Sequence, residues 1–194
     1  MAAWTHPIPG KYTNKVIIKD NFLDDPYIIL ERESFAEYYS RWDHPTGFGG
    51  YPGVRSQHFH EADEYLFGYS LYKLMPIIKN DYGLNHKNGM YFFSFSKIKK
   101  DTYCWEHQDL HDNKLVIAAV IYLNPNPPDP KNNGTKLIID NKETDVENKF
   151  NRLVMYDGNI THCQNDSWGD EWEDDCRLTM NIFCRFEEED ILDF

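Results

Sequence analysis

The spacing of apolar positions changes once along this chain. In "NFLDDPYIILERESFAEYYSRW", residues 21–42, Asp24 or Asp25 is placed to cap a helix, and Pro26 suits its first turn. Ile28, Ile29, Phe35, Tyr38 and Tyr39 then supply an apolar face. A second helix is expected from about Ala62 to Ile78, where Phe67, Leu71, Leu74 and Ile78 recur at three and four, the period of one buried stripe. A short strand, "KVIIKD", precedes the first helix, and the glycines and prolines of "HPTGFGGYPGVR" mark a loop between the two. From Met90 the period shortens. "MYFFSFSKI", "TYCWEH", "KLVIAAVIYLN", "TKLIID", "RLVMYDG" and "RLTMNIFCRF" are rich in β-branched and aromatic residues, and Gly, Asn, Pro and Asp separate them. These read as an all-β half of six or more strands, with the proline-rich "NPNPPDPKNNG" as a long loop between two of them. Helices followed by a run of short strands predict a mainly β sandwich or jelly roll with supporting N-terminal helices.

Length adds a domain count. The 194 residues suit one domain, 1–194, with helical support over 1–89, the β core over 90–186 and an acidic tail over 187–194. Aromatics at 15% and charged residues at 27% are a globular composition, too rich in large apolar groups for disorder. The formal charge of −12 repels phosphate backbones, so nucleic acid is not an expected partner. A small anionic ligand stays possible where one buried cation receives it. Cys104, Cys163, Cys176 and Cys184 show no C-x-x-C spacing, which removes the usual structural zinc site. The opening "MAAWTHPIPG" lacks the basic flank and apolar run of a leader, and no stretch approaches the roughly 18 apolar residues of a membrane span. The expectation is a soluble cytoplasmic protein with free thiols and no membrane partner.

Chemistry concentrates in "WEHQDLHDN", residues 105–113. His107 and His111 are four apart, the spacing of helical H-E-x-x-H zinc sites, but Gln108 stands where that chemistry needs a glutamate base. The strand-like flanks also oppose a helix. On a strand, residues two apart share a face, so His107 and Asp109 project together while Gln108 faces away. An imidazole and a carboxylate so placed are two-thirds of a facial triad, which leaves positions on Fe(II) open for O2 and a co-substrate. His162, after "RLVMYDG" and at the mouth of an expected turn, is the best third ligand. His6, His44, His58, His60 and His86 all precede the β half. His111 competes with His107, since it too lies two from Asp109. His107 is preferred because it ends an aromatic strand, whereas "HDN" reads as a turn. Glu106 and Asp112 are expected in solvent.

The ordered set resembles the Fe(II)- and 2-oxoglutarate-dependent dioxygenases of the prolyl-hydroxylase-like type. The resemblance covers about Tyr91 to Phe186: "HQD", "AAVIYLN", the glycine of "NNGTKLII", "RLVMYDGNITHCQN" and "CRLTMNIFCRF". "DNFLDDPYII" and "YPGVR" resemble the N-terminal parts of small stand-alone members of unassigned substrate. It implies a double-stranded β-helix, the cupin-like jelly roll, with His107, Asp109 and His162 as iron ligands. It also implies that Arg177 pairs with the distal carboxylate of 2-oxoglutarate and that Thr179, two further on, adds a hydrogen bond. Guanidinium suits that task, because it offers two parallel donors to a carboxylate. The implied reaction hydroxylates a small molecule or a protein side chain and releases succinate and CO2. A metal-binding cupin-like module without turnover is the alternative. Gly134 stands alone where the family often has a glycine pair. The acidic "SWGDEWEDD" is read as a solvated turn, with a lid formed by Trp168 or Trp172 as the other reading. Arg55, in the glycine-rich loop, is open between meeting an anionic substrate and forming a structural ion pair. Tyr38, Tyr39, Trp42, Phe48 and Tyr51 are expected in the core.

Overall fold

The structure, a computed structural model, describes residues 12–45, 50–111, 113–172 and 175–190. In chain order these form β1 (Val16–Lys19), α1 (Pro26–Glu33), β2 (Tyr38–Ser40), β3 (Val54–Ser56), α2 (Phe59–Ala62) and α3 (Glu64–Asn80). There follow β4 (Met90–Ile98), β5 (Leu115–Tyr122), β6 (Thr135–Ile139), β7 (Lys142–Val146), β8 (Leu153–Asp157), β9 (Thr161–Gln164), β10 (Arg177–Phe186) and a 3-10 turn at Glu188–Asp190. Phe48, one of the expected core aromatics, and Asp112 lie outside the described residues.

The strands make two antiparallel sheets, a jelly-roll arrangement that is mainly β with few helices. The larger has the order β1-β8-β5-β10-β4-β3-β2, and the smaller β7-β6-β9. Alternation on β10 explains how both faces of the large sheet are used. Leu178, Met180, Ile182, Cys184 and Phe186 join the core that α3 covers, together with Leu66, Leu74, Ile77 and Ile78 of that helix. Each of those helical side chains is almost fully buried, a gain of about 1.5–3 kcal/mol apiece. The opposite face of the large sheet meets the small one. There Ala118, Tyr122, Val154 and Tyr156 pack with Leu137, Val146 and Ile160 in a second, smaller core.

Asp25 caps α1, its carboxylate accepting from the Tyr27 and Ile28 amides, with Pro26 at the first position as the sequence predicts. The helix then stops at Glu33, short of the expected apolar face, which reaches Tyr39. Tyr38 and Tyr39 are on β2, where pairing with β3 overrides helical periodicity. Phe35 is left 81% exposed. Of the expected core aromatics, Tyr51 is buried, but Trp42 is 79% exposed and lies beneath the Arg41 guanidinium. α3 closely follows the expected second helix, and Asp63 caps it through the Leu66 amide.

Gly53 decides where β3 can lie. Its φ is +71°, and a Cβ there would stand 2.2 Å from the Lys97 carbonyl oxygen, so only glycine lets the chain meet β4 this closely. The result is the register Arg55↔Ser96, which sets Arg55 on the large sheet beside β4. The four cysteines are free thiols. Among the described residues, no helix is long and apolar enough to cross a membrane.

Candidate metal centre

The segment before His107 forms no ladder, so "TYCWEH" is not the strand the sequence predicts. Pairing begins at His107 itself. Its amide donates to the His162 carbonyl at 3.0 Å, and the His162 amide returns the bond at 2.9 Å. This isolated antiparallel bridge adds His107 to the edge of the small sheet beside β9. His162 therefore sits on a strand rather than at a turn. The helical zinc-protease geometry is absent. The expected alternation is present: His107 and Asp109 line one cleft, while exposed Gln108 donates to the Asn159 carbonyl.

His107, Asp109 and His162 each offer one ligand atom, and these atoms lie within 4.8 Å of one another. Asp109 Oδ2 is 3.2 Å from His162 Nε2, and its Oδ1 is 3.8 Å from His107 Nε2. The ring centroids of the two histidines are 4.3 Å apart. Each imidazole is oriented from behind. Nδ1 of His107 bonds to the Trp105 carbonyl at 2.9 Å, and Nδ1 of His162 to the Ile160 carbonyl at 3.0 Å. A carbonyl only accepts, so Nδ1 of each ring carries a proton and Nε2 is the atom turned to the cluster. Two neutral imidazoles and one carboxylate are the donor set of a facial triad.

The charges within the cluster fit that reading. Burial, then the nearby His162, depress the His107 pKa and favour its neutral form. Burial also opposes a charged His162, but the hydrogen bond and charge of Asp109 outweigh it and raise that pKa. For Asp109 burial acts to raise the pKa; the His162 hydrogen bond and the surrounding positive charge prevail and lower it. Asp109 is thus held as a carboxylate whose partner is a proton on His162 when no cation is there.

Backbone contacts fix the carboxylate in place. The Asp109 amide donates to the Gly158 carbonyl at 2.8 Å, and a Cβ at residue 158 would approach the Asp109 carbonyl oxygen to 2.4 Å. Only glycine leaves room for the Asp109 segment here. Tyr156, facing the same cleft from β8, sets its ring 4.7 Å from that of His162. Burial pushes its phenol well above the ordinary range, so it remains a neutral donor.

Arg177 opens β10 and is only 3% exposed, which excludes a surface strand arginine. Its guanidinium meets neutral acceptors alone: the Asn133 carbonyl at 3.1 Å, the Gly134 carbonyl and Gln164 Oε1 at 3.4 Å, and Thr135 Oγ1 at 3.5 Å. It forms no ion pair with any described carboxylate. Thr179, two along and buried, spends its hydroxyl on Asn181 Oδ1 at 2.8 Å; Asn181 rather than Thr179 lines the cleft. Arg55 lines it from β3, with Tyr51 and Phe183 rings 4.4 and 5.7 Å from its guanidinium. It has no ion-pair partner among the described residues, so the structural ion pair is not what holds it. His111 bridges to Lys114 and is not part of the triad cluster.

Glu106 is exposed, as expected. The acidic loop is docked. Gly169 accepts from the Lys100 amide, Lys99 Nζ reaches the Asp170 carbonyl at 2.9 Å, and the same ammonium sits 5.0 Å from the Trp172 ring. Neither Trp168 nor Trp172 lines the cleft. Tyr156, Gln164, Asn181 and Gly158 were not singled out in the sequence. The usable signal was register: Gln164 is two from His162 and Asn181 four from Arg177, each on its partner's face.

No family model matches the chain, and no curated protein matches it. Solved structures do. A Pseudomonas putida prolyl-4-hydroxylase superposes with a TM-score of 0.63 at 19% identity, covering 89% of this chain and 93% of that one. A Trichoplax adhaerens prolyl hydroxylase, solved with a hypoxia inducible factor oxygen degradation domain peptide, gives 0.65 at 16% identity, covering 92% and 86%. HygX from Streptomyces hygroscopicus, solved with nickel and 2-oxoglutarate, gives 0.64 at 9% identity, covering 91% and 84%. At these identities the likeness is one of fold.

Proposed function

We propose that this protein is an Fe(II)- and 2-oxoglutarate-dependent dioxygenase whose single domain, 1–194, hydroxylates a small molecule or a protein side chain. The observation that carries the reading is a conjunction in one cleft: His107, Asp109 and His162 converge there, and a buried arginine without a carboxylate partner lines the same space. Solved structures of similar fold support it, one of them holding nickel and 2-oxoglutarate.

The residues fit the group. His107 and His162 would each bind iron through Nε2, since Nδ1 is committed to a carbonyl, and Asp109 would bind as the carboxylate its surroundings favour. Arg177 would receive the distal carboxylate of 2-oxoglutarate. Its present bonds to neutral carbonyls leave its charge uncompensated, and a carboxylate gives the stronger, charge-assisted pair. Tyr156 and Thr135, both lining the cleft, are neutral donors placed to orient the co-substrate. When bound, iron with 2-oxoglutarate supplies the oxidising power: O2 is consumed, 2-oxoglutarate becomes succinate and CO2, and a substrate C–H gains a hydroxyl. The chain's own part is to orient these groups and exclude water.

The test is succinate formation from 2-oxoglutarate by purified protein with added Fe(II). Succinate that depends on iron and disappears in Asp109→Ala supports the oxygenase. Metal and 2-oxoglutarate binding without succinate, across a broad panel of candidate substrates, instead marks a cupin-like binding module.

A further inference from the structure

Resting on the oxygenase reading, we infer that Arg55 is the receptor for a single carboxylate on the substrate, so that the substrate class is a small monoanionic carboxylate.

Three observations carry it. The first is an unmet donor. Arg55 Nε is buried without a hydrogen-bond partner. A buried donor left unpaired costs about 1–3 kcal/mol, and this one lies on a cationic side chain that lines the cleft, where an arriving carboxylate would meet it. The second is rigidity. The Tyr51 and Phe183 rings lie 4.4 and 5.7 Å from the guanidinium, and β3 is locked against β4 by the close approach at Gly53. A charge fixed in this way loses little entropy on binding.

The third is a charge balance. Among the described residues that line the cleft, the ionised groups are Arg55, Arg177 and Asp109, a sum of +1, with His107 and His162 neutral when they bind metal. A divalent cation and a dianionic co-substrate cancel each other. One positive charge is left over, in a chain whose formal charge is −12. A carboxylate matches it with one negative charge, whereas a phosphate monoester brings about −1.5 to −2. Burial has drawn the Arg55 pKa down to about 10, which still leaves it fully cationic at neutral pH. Arg177 and Arg55 have distinct places: Arg177 at the start of β10 beside Gln164, Arg55 on β3 beside Ser96.

The experiment uses the full chain loaded with Zn(II), which supports binding without turnover. A panel of N-acetyl amino acids, their primary amides and phenyl phosphate is titrated by calorimetry, with and without saturating 2-oxoglutarate. The wild type is expected to bind carboxylates in preference to their amides. Arg55→Gln should lose at least about tenfold of that affinity, the scale of one charge-assisted hydrogen bond. Arg55→Lys should keep part of it, and 2-oxoglutarate affinity should stay within about twofold in both variants. Equal carboxylate affinity in wild type and Arg55→Gln overturns the inference. So does preference for phenyl phosphate, or loss of 2-oxoglutarate rather than of the N-acetyl amino acids in Arg55→Gln. Failure of the wild type to bind 2-oxoglutarate, with Arg55-dependent carboxylate binding intact, would instead remove the oxygenase reading and leave Arg55 as an anion receptor.

Discussion

His107 and His162 exchange both backbone hydrogen bonds, at 3.0 and 2.9 Å, and hold their rings 4.3 Å apart. Two residues 55 positions apart in sequence thus become one rigid pair through main-chain geometry alone. His111 takes no part in this pairing. His107→Ala is expected to lower metal affinity by more than the roughly 10–100-fold that loss of an outer-shell partner causes, while His111→Ala leaves it nearly unchanged. Equilibrium dialysis against Fe(II) or Zn(II) separates the two, and equal losses would move the ligand assignment.

Gly158 is the position where backbone crowding meets chemistry. Gly158→Ala places a Cβ 2.4 Å from the Asp109 carbonyl oxygen and 2.9 Å from Val116 Cβ. The Asp109 segment must shift. Overpacking of this kind costs about 1–3 kcal/mol of stability. We expect a lower melting temperature together with about tenfold weaker metal binding. A variant that melts lower but binds metal normally would show that the Asp109 carboxylate is positioned by other contacts.

Acid should release the metal through His162. Without metal its folded pKa is raised by Asp109, so this contribution to stability is fully present below the unfolded histidine value of about 6.5 and is lost as pH rises through the folded value. The lowered pKa of Asp109 gives the opposite limb, present above the unfolded carboxylate value of about 3.9 and lost as pH falls through the folded one. The metal-free pair is therefore favourable from mildly acidic pH up to the His162 pKa, where the metal must displace a proton. The rise in melting temperature on adding Zn(II) should be large at about pH 8 and shrink toward about pH 5.5. A pH-independent rise would place the metal elsewhere.

The β core was readable because its main strands announce themselves. "MYFFSFSKI" is β4 residue for residue, and "RLTMNIFCRF" is β10. β7 was missed for a physical reason: Lys142–Asp145 are four exposed residues on an edge strand, with no apolar alternation to detect. β9 was missed because four residues, "THCQ", are too few to show a period, and their pairing comes from β6. α1 was overextended because Tyr38 and Tyr39 fit a helical face locally, while a distant strand claims them. At the site, the H-x-D alternation and His162 as its partner were read from the sequence, whereas the backbone bridge that joins His107 to His162 was not. Thr179 was named from the resemblance and from its place two residues after Arg177. Only the structure shows its hydroxyl already given to Asn181, and Arg55 with a donor still unused.

The most direct measurement is anaerobic calorimetry of 2-oxoglutarate binding to the wild type, Asp109→Ala and Arg177→Gln, with and without Fe(II). The account predicts tight binding only when iron is present, loss of both iron and 2-oxoglutarate in Asp109→Ala, and retained iron with at least about tenfold weaker 2-oxoglutarate in Arg177→Gln. Binding of 2-oxoglutarate that ignores iron, or that survives in Arg177→Gln at full strength, would contradict it.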